Sequence, residues 1–378
     1  MKLEKLILHG FRNHDKTEFE CSSTVNLFVG RNGQGKTNIL EAIAYLSIGK
    51  SFFSAPDNNL VRRGNEGFIL HGSFRSDSNV PYSVGIRYTE KEGNRRKEIR
   101  INNKEEDRVS ALIGRSPVVL LYPEQHAITN GGPGERRRFM DLVLSQSHSR
   151  YFEMLTEYRR ILRQRNTILT ETKGPGPRVR DLLAPWDEQF LNYAVEITAF
   201  RYTFLTEIER YLQNNYALIV GEEETPSLRY DSVIPPDVIS GDIYNKDAAR
   251  EAFEASFANE VRYGTTVFGP HRDELILMIN EMEVRKYASQ GQQKSFLVAL
   301  KISESQYLLE KRKEQPLILL DDLFGELDRE RSRQVLNLTT GMGQTFVTSA
   351  DETMGKTHYT SLNGHAEFVV QDGNILNV

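Results

Sequence analysis

Strands are predicted at the start of the chain from the spacing of its apolar side chains. Leucines punctuate residues 3–8, and the apolar run 25–29 ends at a glycine. Residues 68–101 alternate between apolar and polar side chains, a pattern typical of antiparallel strands with one face in solvent. Another short strand is predicted at 117–121. The first third of the chain therefore reads as mainly β-structure.

Helical spacing replaces this pattern in three places. Four apolar residues between positions 39 and 46 share one face of a predicted helix, long helical patterns dominate 135–262, and another helix is predicted over 292–313. Strand patterns return at 275–279, 317–320 and 345–348. This order predicts an α/β domain whose halves lie at the two ends of the chain, with a helical insertion between them.

Composition narrows the class of protein. The chain has 378 residues, of which 39% are hydrophobic and 26% charged, so two or three folded lobes are expected. No apolar run approaches the ~18 residues needed to cross a bilayer, the first residues lack a signal-peptide core, and a lone cysteine excludes an internal disulfide framework. We expect a soluble, cytoplasmic protein with no membrane partner. A net charge of −4 gives no global attraction to nucleic acid, so a DNA surface requires local clustering.

The clearest chemical motif is a glycine-rich stretch between a predicted strand and a predicted helix. It matches the phosphate-loop pattern G-x-x-x-x-G-K-[ST] with Gly30, Arg31, Asn32, Gly33, Gln34, Gly35, Lys36 and Thr37. The glycines let backbone N–H groups surround phosphate oxygens, Lys36 reaches the β- and γ-phosphates, and the Thr37 hydroxyl binds Mg²⁺. A plain glycine-rich turn is the alternative, but the strand before it and the helix after it favour a nucleotide site.

Two carboxylates follow the predicted strand 317–320. Ligands of α/β folds bind at the carboxyl ends of parallel strands, so Asp321 is expected to hold Mg²⁺, directly or through water. Asp322 is expected to orient the attacking water or to accept its proton. Apolar strands also end in aspartate simply because aspartate forms turns, and the phosphate loop is what makes the catalytic interpretation the stronger one.

A third motif precedes the predicted helix 292–313. Ser289, Gly291 and Gln292 belong to the stretch Ser-Gln-Gly-Gln-Gln-Lys, which by itself could only cap the helix. Together with the other two motifs it resembles the signature motif of ABC-type ATPases. Residues 325–328 resemble the D-loop of that class, although Gly325 stands where serine or alanine is usual.

Several stretches are similar to the RecF family of bacterial recombination mediators, and the likeness covers essentially the whole chain. These stretches are Gly10–Asn13, Pro123–Glu124, Gly131–Asp141 and Gly269–Leu275. Two departures are Thr129, where a second apolar residue is expected, and Phe53, where many relatives have arginine.

The resemblance implies an α/β fold, an ABC-type ATPase head with an antiparallel β subdomain and a mainly helical inserted arm domain. The head would comprise 1–122 and 262–378, and the arm 123–261. The cofactors would be ATP and Mg²⁺. Ser289, Gly291 and Gln292 of one subunit would complete the nucleotide site of another, so that ATP joins a homodimer and hydrolysis by Lys36 and Asp322 releases it.

Four further assignments follow from the same resemblance or depend on it. Arg12 would be an additional phosphate contact, Gln125 the glutamine that senses Mg²⁺, and Thr348 the switch residue of the ATPase. His271 has no nucleophile motif beside it, so a structural role is expected for it.

The implied biology is DNA repair. ATP would drive dimerisation on double-stranded DNA near single-strand gaps, where RecR-like and RecO-like mediator proteins help load the recombinase for recombinational repair, replication restart and the response to DNA damage. Three alternatives belong to other classes: the ATPase subunit of a transporter, an SMC-like chromosome-associated ATPase, and a scaffold that binds ATP without hydrolysing it. Proline breaks and the lack of sustained heptads in the insertion disfavour an SMC protein.

Arginines cluster in the predicted insertion. Those singled out as DNA contacts are Arg136, Arg137, Arg159, Arg160 and Arg163. A positive stripe on a helix can follow phosphates without reading bases, but it can equally be an ordinary solvated face. Arg136 and Arg137 could instead be a structural pair held by Asp141 or Asp273.

Overall fold

The computed structural model describes residues 1–172, 177–234, 246–322, 341–350 and 365–377. The chain divides into two compact units. The first unit comprises Met1–His126, Asn215–Gly221 and Lys294–Val378, and the second comprises Ala127–Asn214 and Glu222–Gln293. The first unit therefore combines both ends of the chain, as the sequence predicts for the α/β domain.

A six-stranded, mostly parallel sheet forms the centre of the first unit, in the order β15-β14-β3-β13-β12-β8. Its strands are β3 (Val25–Val29), β8 (Val118–Leu121), β12 (Leu317–Asp321), β13 (Thr345–Ser349), β14 (Ala366–Gln371) and β15 (Asn374–Asn377). Only the β14–β15 pair is antiparallel. Strands β3, β8, β12 and β13 are buried along their whole length, which explains their continuous apolar runs.

A second six-stranded sheet in the same unit is antiparallel, in the order β2-β1-β4-β5-β6-β7. Its strands are β1 (Lys2–Phe11), β2 (His14–Glu20), β4 (Gly67–Arg75), β5 (Pro81–Lys91), β6 (Asn94–Ile101) and β7 (Lys104–Glu106). Helix α1 (Lys36–Ile48) packs against strands of both sheets. Every residue from Ile39 to Ile48 is therefore buried, not only the apolar face that the sequence pattern predicts.

Helices dominate the second unit. They are α2 (Ala127–Asn130), α3 (Pro133–Ser147), α4 (Ser149–Glu171), most of α5 (Pro177–Val220), α6 (Lys246–Tyr263), α7 (Val284–Tyr287) and the first turn of α8 (Gln290–Arg312). The buried residues of α4 recur every three or four positions from Tyr151 to Leu169, which is the spacing of one helical face.

The second unit also contains a three-stranded antiparallel sheet that the sequence pattern did not predict as such. Strands β9 (Pro226–Asp231) and β11 (Met282–Glu283) flank β10 (Glu274–Ile279). Strand β9 lies inside the segment predicted to be helical, and it is a strand because it pairs with β10, which follows only after α6. This pairing places residues 262–293 in the second unit, whereas the predicted boundary assigned them to the head.

Buried polar side chains tie the elements of the second unit together. Arg201, on α5, is 2% exposed and donates to Asp141 at 2.8 Å and to the carbonyl of Pro270 at 2.7 Å. The Tyr151 hydroxyl donates to the same Asp141 carboxylate at 2.6 Å, and the Tyr230 hydroxyl donates to Asp273 at 2.5 Å. Since burying a charge is tolerated only when it is paired and hydrogen-bonded, each of these groups depends on its partners.

We predict that Arg201→Ala lowers the free energy of unfolding by about 3–5 kcal/mol, because it removes the buried cation of the Asp141 carboxylate and leaves only the exposed Arg159 beside it. Chemical denaturation measures the change. The matched control is Arg150→Ala, whose guanidinium pairs with Glu196 at 2.6 Å but is 71% exposed. Solvent screens that pair, so its loss is expected to change little. Equal losses for the two variants would contradict the assignment.

Candidate nucleotide-binding site

The glycine-rich stretch forms the turn between β3 and α1, as the phosphate-loop motif requires. Two of its glycines are dictated by close contacts. Gly30 has φ +148°, and a Cβ there would lie 2.4 Å from the carbonyl oxygen of Val370. Gly35 has φ +108°, and a Cβ there would lie 2.5 Å from the side-chain oxygen of Asn13. Any other residue at either position would push the loop away from its neighbours.

Lys36 points into the loop that precedes it. Its Nζ donates to the carbonyl oxygens of Gly30 at 2.6 Å and Arg31 at 2.9 Å. Burial lowers the pKa of Lys36, while the nearby Asp322 and Asp321 carboxylates act in the opposite direction. A cavity of about 250 Å³ opens here, lined by loop residues together with Asn38, Asp321, Asp322 and Thr348. The loop and the acidic strand end thus share one cavity.

The Thr37 hydroxyl meets the Asp321 carboxylate, donating to its two oxygens at 2.8 and 3.0 Å. Burial raises the pKa of Asp321, and the hydrogen bonds from Thr348 and Thr37 work against that rise. Gln125 follows β8, the neighbour of β12, and its buried Oε1 has no hydrogen-bond partner among the described residues. Hydroxyl and carboxylate oxygens are ligands that Mg²⁺ prefers, so Thr37 and Asp321 fit that ion, and the Mg²⁺-sensing role of Gln125 stays a prediction.

Thr348, at the end of β13, links the two aspartates. Its hydroxyl donates to Asp321 Oδ1 at 2.6 Å and accepts the backbone N–H of Asp322 at 3.0 Å. Asp322 adopts φ +46°, a conformation that non-glycine residues rarely occupy. The Thr348 hydroxyl therefore helps to hold the Asp322 backbone in place. Its role as the switch residue stays a prediction.

Arg12 forms a bidentate salt bridge with a buried carboxylate. Its guanidinium donates to both oxygens of Glu41, at 2.8 and 2.9 Å, and Glu41 is fully buried in α1. The remaining Nη1 donates to the carbonyl of Asn59 at 3.3 Å. The geometry accounts for Arg12 as the partner of Glu41, and a direct phosphate contact stays a prediction.

Ser289 and Gln292 cap α8 reciprocally, which is the alternative that the sequence left open. The Ser289 N–H donates to Gln292 Oε1 at 2.8 Å, and the Gln292 N–H donates to Ser289 Oγ at 3.2 Å. Gln292 Nε2 donates in turn to Glu224 at 2.7 Å. Because Ser289 Oγ accepts a hydrogen bond here, its own proton stays available to an acceptor beyond the helix end. Gly291 lies in the first turn, where backbone N–H groups have no helical partners.

The structure separates the five candidate DNA-contacting arginines into two groups. Arg136 is 3% exposed, pairs with Glu274 at 2.7 Å and donates to the carbonyls of Ile128 and Gly131. A guanidinium buried this deeply offers no surface to a DNA backbone, which corrects the prediction for Arg136. Arg137 is half-buried and donates to the Asp273 carbonyl at 2.8 Å, so the geometry favours the structural alternative for it as well.

The other three arginines lie on the exposed side of α4. Arg159 pairs with Asp141 at 2.8 Å, and Arg160 pairs with Glu157 at 2.9 Å while lying over the ring of Trp186. Arg163 is exposed, and among the described residues its guanidinium makes one long contact, at 3.4 Å with the Arg159 carbonyl. Arg160 and Arg163 are thus one turn apart on an accessible ridge, and DNA contact by this group stays a prediction.

His271 belongs to the buried network of the second unit. Its Nε2 lies 3.0 Å from the Thr266 carbonyl, which can only accept, so Nε2 carries the proton and Nδ1 accepts from the Tyr158 hydroxyl at 2.6 Å. Burial lowers the pKa of His271 to about 4, and the positive charges of Arg272, Arg137 and Arg201 add to that effect. The geometry supports the structural role expected for this histidine.

Two side chains that contact the phosphate loop were missed by sequence reasoning. Asn13 Nδ2 donates to the Gln34 carbonyl and His14 Nε2 to the Gly35 carbonyl, each at 3.0 Å. Asn13 belongs to the opening Gly-Phe-Arg-Asn stretch, whose residue spacing does not indicate where its side chain points. The predicted D-loop at 325–328 lies outside the described residues.

Comparison with known proteins identifies close relatives. A model of the RecF/RecN/SMC N-terminal domain matches residues 2–364. The DNA replication and repair protein RecF of Salinibacter ruber is 39% identical over 358 residues, covering 92% of this chain and 85% of the relative. The protein of the same name from Prosthecochloris aestuarii is 38% identical over 355 residues, covering 93% and 94%.

Solved structures agree with these relatives. A structure of the recombination mediator protein RecF, described as RecF-ATP, superposes with a TM-score of 0.87 at 29% identity, over 100% of this chain and 97% of that one. The Smc head domain from Pyrococcus yayanosii, with a TM-score of 0.58 at 13% identity, shares the fold alone. These likenesses confirm the predicted ATPase-head fold class. Within the described part of the chain, no helix has the length and apolar character needed to span a membrane.

We predict that His271 makes stability fall as the pH is lowered. An unfolded histidine is protonated near pH 6.5, whereas His271 stays neutral until the pH nears 4, so between these values the unfolded state binds more protons. From pH 7 to pH 5 the folded state should lose about 2 kcal/mol through this residue. Chemical denaturation of the wild type and of His271→Gln at both pH values measures it. Parallel pH profiles for the two proteins would show that the prediction is wrong.

Proposed function

We propose that this chain, which belongs to the RecF family of DNA replication and repair proteins, is an ATPase that binds ATP in the loop 30–37 and dimerises on duplex DNA. The observation that carries the proposal is the contact of the Thr37 hydroxyl with the Asp321 carboxylate at 2.8 Å. It joins the phosphate loop to the acidic end of β12, the pair of elements that nucleotide hydrolysis requires.

ATP is supported as the ligand by the chain's own residues and by its relatives. The loop opens directly into α1, whose N-terminal end favours an anion, and Lys36 lies within it. The similar RecF structure is described as a complex with ATP. When Mg²⁺ is bound with the nucleotide, it neutralises charge on the phosphates. Thr37 and Asp321 would hold it, and Gln125 offers a further oxygen.

The hydrolytic step is assigned to the end of β12. Asp322 would orient the attacking water or accept its proton, at a position fixed by the Thr348 hydroxyl. Lys36 would stabilise charge on the transferred phosphoryl group. Slow hydrolysis would serve to release the dimer.

Dimerisation is proposed to use the start of α8. Ser289 and Gly291 of one subunit would contact the γ-phosphate held by the other, using the Ser289 hydroxyl proton and the Gly291 N–H in the first turn of α8. Such contacts exist only while the γ-phosphate is present, so they distinguish ATP from ADP. Gln292 would act indirectly, because its side chain is occupied by Ser289 and Glu224.

DNA binding is proposed for the exposed ridge of α4. Arg160 and Arg163 would contact backbone phosphates, with Arg159 beside them, and would therefore bind without sequence preference. The setting would be the cytoplasm, at single-strand gaps, with RecR-like and RecO-like proteins as partners in recombinase loading. A RecF-type function has more support than an SMC-type one, because the SMC heads are similar at 13–16% identity, which reflects the fold alone.

We predict that ATP with Mg²⁺ and duplex DNA doubles the solution molar mass of the wild type but not of Lys36→Ala or Ser289→Arg. Lys36→Ala should lose ATP binding, whereas Ser289→Arg should bind ATP as a monomer, because the serine acts only on the partner's nucleotide. Light scattering and a fluorescent ATP analogue measure both properties. The control is Ser78→Arg, at an exposed turn of the first unit.

Two outcomes would contradict this model. ATP-driven dimers of Lys36→Ala would separate dimerisation from the phosphate loop. Loss of ATP binding by monomeric Ser289→Arg would mean that the serine acts on the nucleotide of its own chain.

We predict that the affinity for duplex DNA falls steeply as salt increases, because binding releases counterions from the phosphates. Replacing both Arg160 and Arg163 by alanine should weaken binding equally on unrelated sequences. It should also lower the slope of log affinity against log salt by about 2. Filter binding at several salt concentrations measures this. Arg250→Ala, which removes one positive charge from an exposed pair with Glu188, is the control for charge loss away from α4 and should leave the slope unchanged. An unchanged slope in the double variant would remove α4 from the DNA surface.

A further inference from the structure

Two hairpin turns, from opposite ends of the chain, donate hydrogen bonds to the backbone carbonyl groups of the phosphate loop. The β1–β2 turn supplies Asn13 and His14, whose side chains donate to the carbonyls of Gln34 and Gly35, each at 3.0 Å. The β14–β15 turn supplies the N–H of Gly373, which donates to the same Gln34 carbonyl at 3.0 Å. Three donors therefore converge on two consecutive carbonyl groups of the loop.

These hydrogen bonds determine which way the loop's amides face. In a planar trans peptide, the C=O and the N–H of the following residue point in opposite directions. Holding the Gln34 carbonyl against the two turns therefore directs the Gly35 N–H to the other side. The Gly35 carbonyl is held by His14 together with the N–H groups of Asn38 and Ile39 in α1, at 3.1 and 3.3 Å, which directs the Lys36 N–H in the same way. Amides aimed in one direction are what a phosphate-binding loop requires.

The donors are themselves fixed. Asn13 Oδ1 accepts from Asn38 Nδ2 at 2.7 Å, which determines which end of the Asn13 amide faces Gln34. His14 is fully buried, and its Nδ1 lies 2.9 Å from Thr17 Oγ1. The Thr17 hydroxyl is also 2.9 Å from the Gly373 carbonyl, so it connects the two turns.

Steric contacts make the arrangement specific. A Cβ on Gly35 would lie 2.5 Å from Asn13 Oδ1, and one on Gly373 would lie 2.3 Å from the Asn13 carbonyl oxygen. The loop and the two turns approach one another this closely only because both positions are glycine. The Asp372 N–H also donates to the Gln34 side-chain oxygen at 2.7 Å. The β14–β15 turn therefore hydrogen-bonds to both the backbone and the side chain of Gln34.

We propose that Asn13, His14 and Gly373 are positioning residues for phosphate binding, acting through the backbone of Gln34 and Gly35. The proposal rests on the proposed function, since it takes the loop to be the ATP site. None of the three residues needs to touch the nucleotide. They fix the direction of the amides that do, before the nucleotide arrives.

The test compares two asparagines whose side-chain amides each donate to a backbone carbonyl, one at the phosphate loop and one away from it. Asn13 Nδ2 donates to the Gln34 carbonyl, and Asn26 Nδ2, in β3, donates to the Ser22 carbonyl at 2.9 Å. Asn13→Ala should weaken ATP binding about fivefold, the effect of losing one hydrogen bond. It should raise KM by a similar factor and leave kcat within about twofold. Asn26→Ala should lower the melting temperature but leave ATP affinity unchanged.

A shape-preserving variant separates positioning from packing. Asn13→Leu keeps the approximate size of the side chain and adds no charge, but it replaces the Nδ2 donor with a methyl group. We expect it to bind ATP about as weakly as Asn13→Ala. If Asn13 only fills space, Asn13→Leu should bind like the wild type, and that result would overturn the proposal.

Failure of the inference can be told apart from failure of the proposed function. If the wild type binds no ATP, or Lys36→Ala binds it equally well, the loop is not the ATP site and the proposed function fails. If the wild type binds, Lys36→Ala does not, and Asn13→Ala and Asn13→Leu both bind like the wild type, the site stands and the positioning role fails. If Asn26→Ala loses as much ATP affinity as Asn13→Ala, the weaker binding reflects general destabilisation, and the positioning role fails as well.

Discussion

The hydrogen bond between the Thr37 hydroxyl and the Asp321 carboxylate is the contact on which the candidate site depends. It spans 284 positions of the chain, and it forms because β3 and β12 lie on either side of β13 in one parallel sheet. Parallel strands end at a common edge, so the loop after β3 and the acids after β12 necessarily meet there. An inserted unit of any size leaves this contact intact, provided both chain ends return to the same sheet.

The same edge illustrates how a site keeps charged groups out of water. Burial raises the pKa of Asp321 and lowers that of Lys36, which is the direction that disfavours each charge. Hydrogen bonds from Thr37 and Thr348 lower the pKa of Asp321, and the two aspartates raise the pKa of Lys36. Both interactions therefore favour the charged form that burial disfavours. A loop held rigidly from behind by the two hairpin turns fits this arrangement, because a preformed site need not reorganise when phosphate enters.

Arginines of the second unit show that a basic composition does not by itself define a nucleic-acid surface. Arg201 and Arg136 are buried and hold carboxylates and backbone carbonyls inside the unit. Arg160 and Arg163 remain accessible on α4. Local charge counts along the sequence treat these residues alike, but only the exposed ones can reach a phosphate backbone. Burial therefore decides whether an arginine of this unit has a structural role or is available at the surface.

The sequence alone determined most strands and helices of the first unit, though not β14 and β15, together with the phosphate loop, the acidic end of β12 and the family. Each of these is encoded in local spacing or in a contiguous motif. Tertiary structure alone decided what depends on contacts between distant residues. Strand β9 exists because β10 pairs with it, Arg136 is buried because Glu274 and two backbone carbonyls surround it, and Asn13 reaches the loop because β1 turns back beside it. The physical reason is that hydrogen-bond partners and burial are properties of packing, which local patterns do not record.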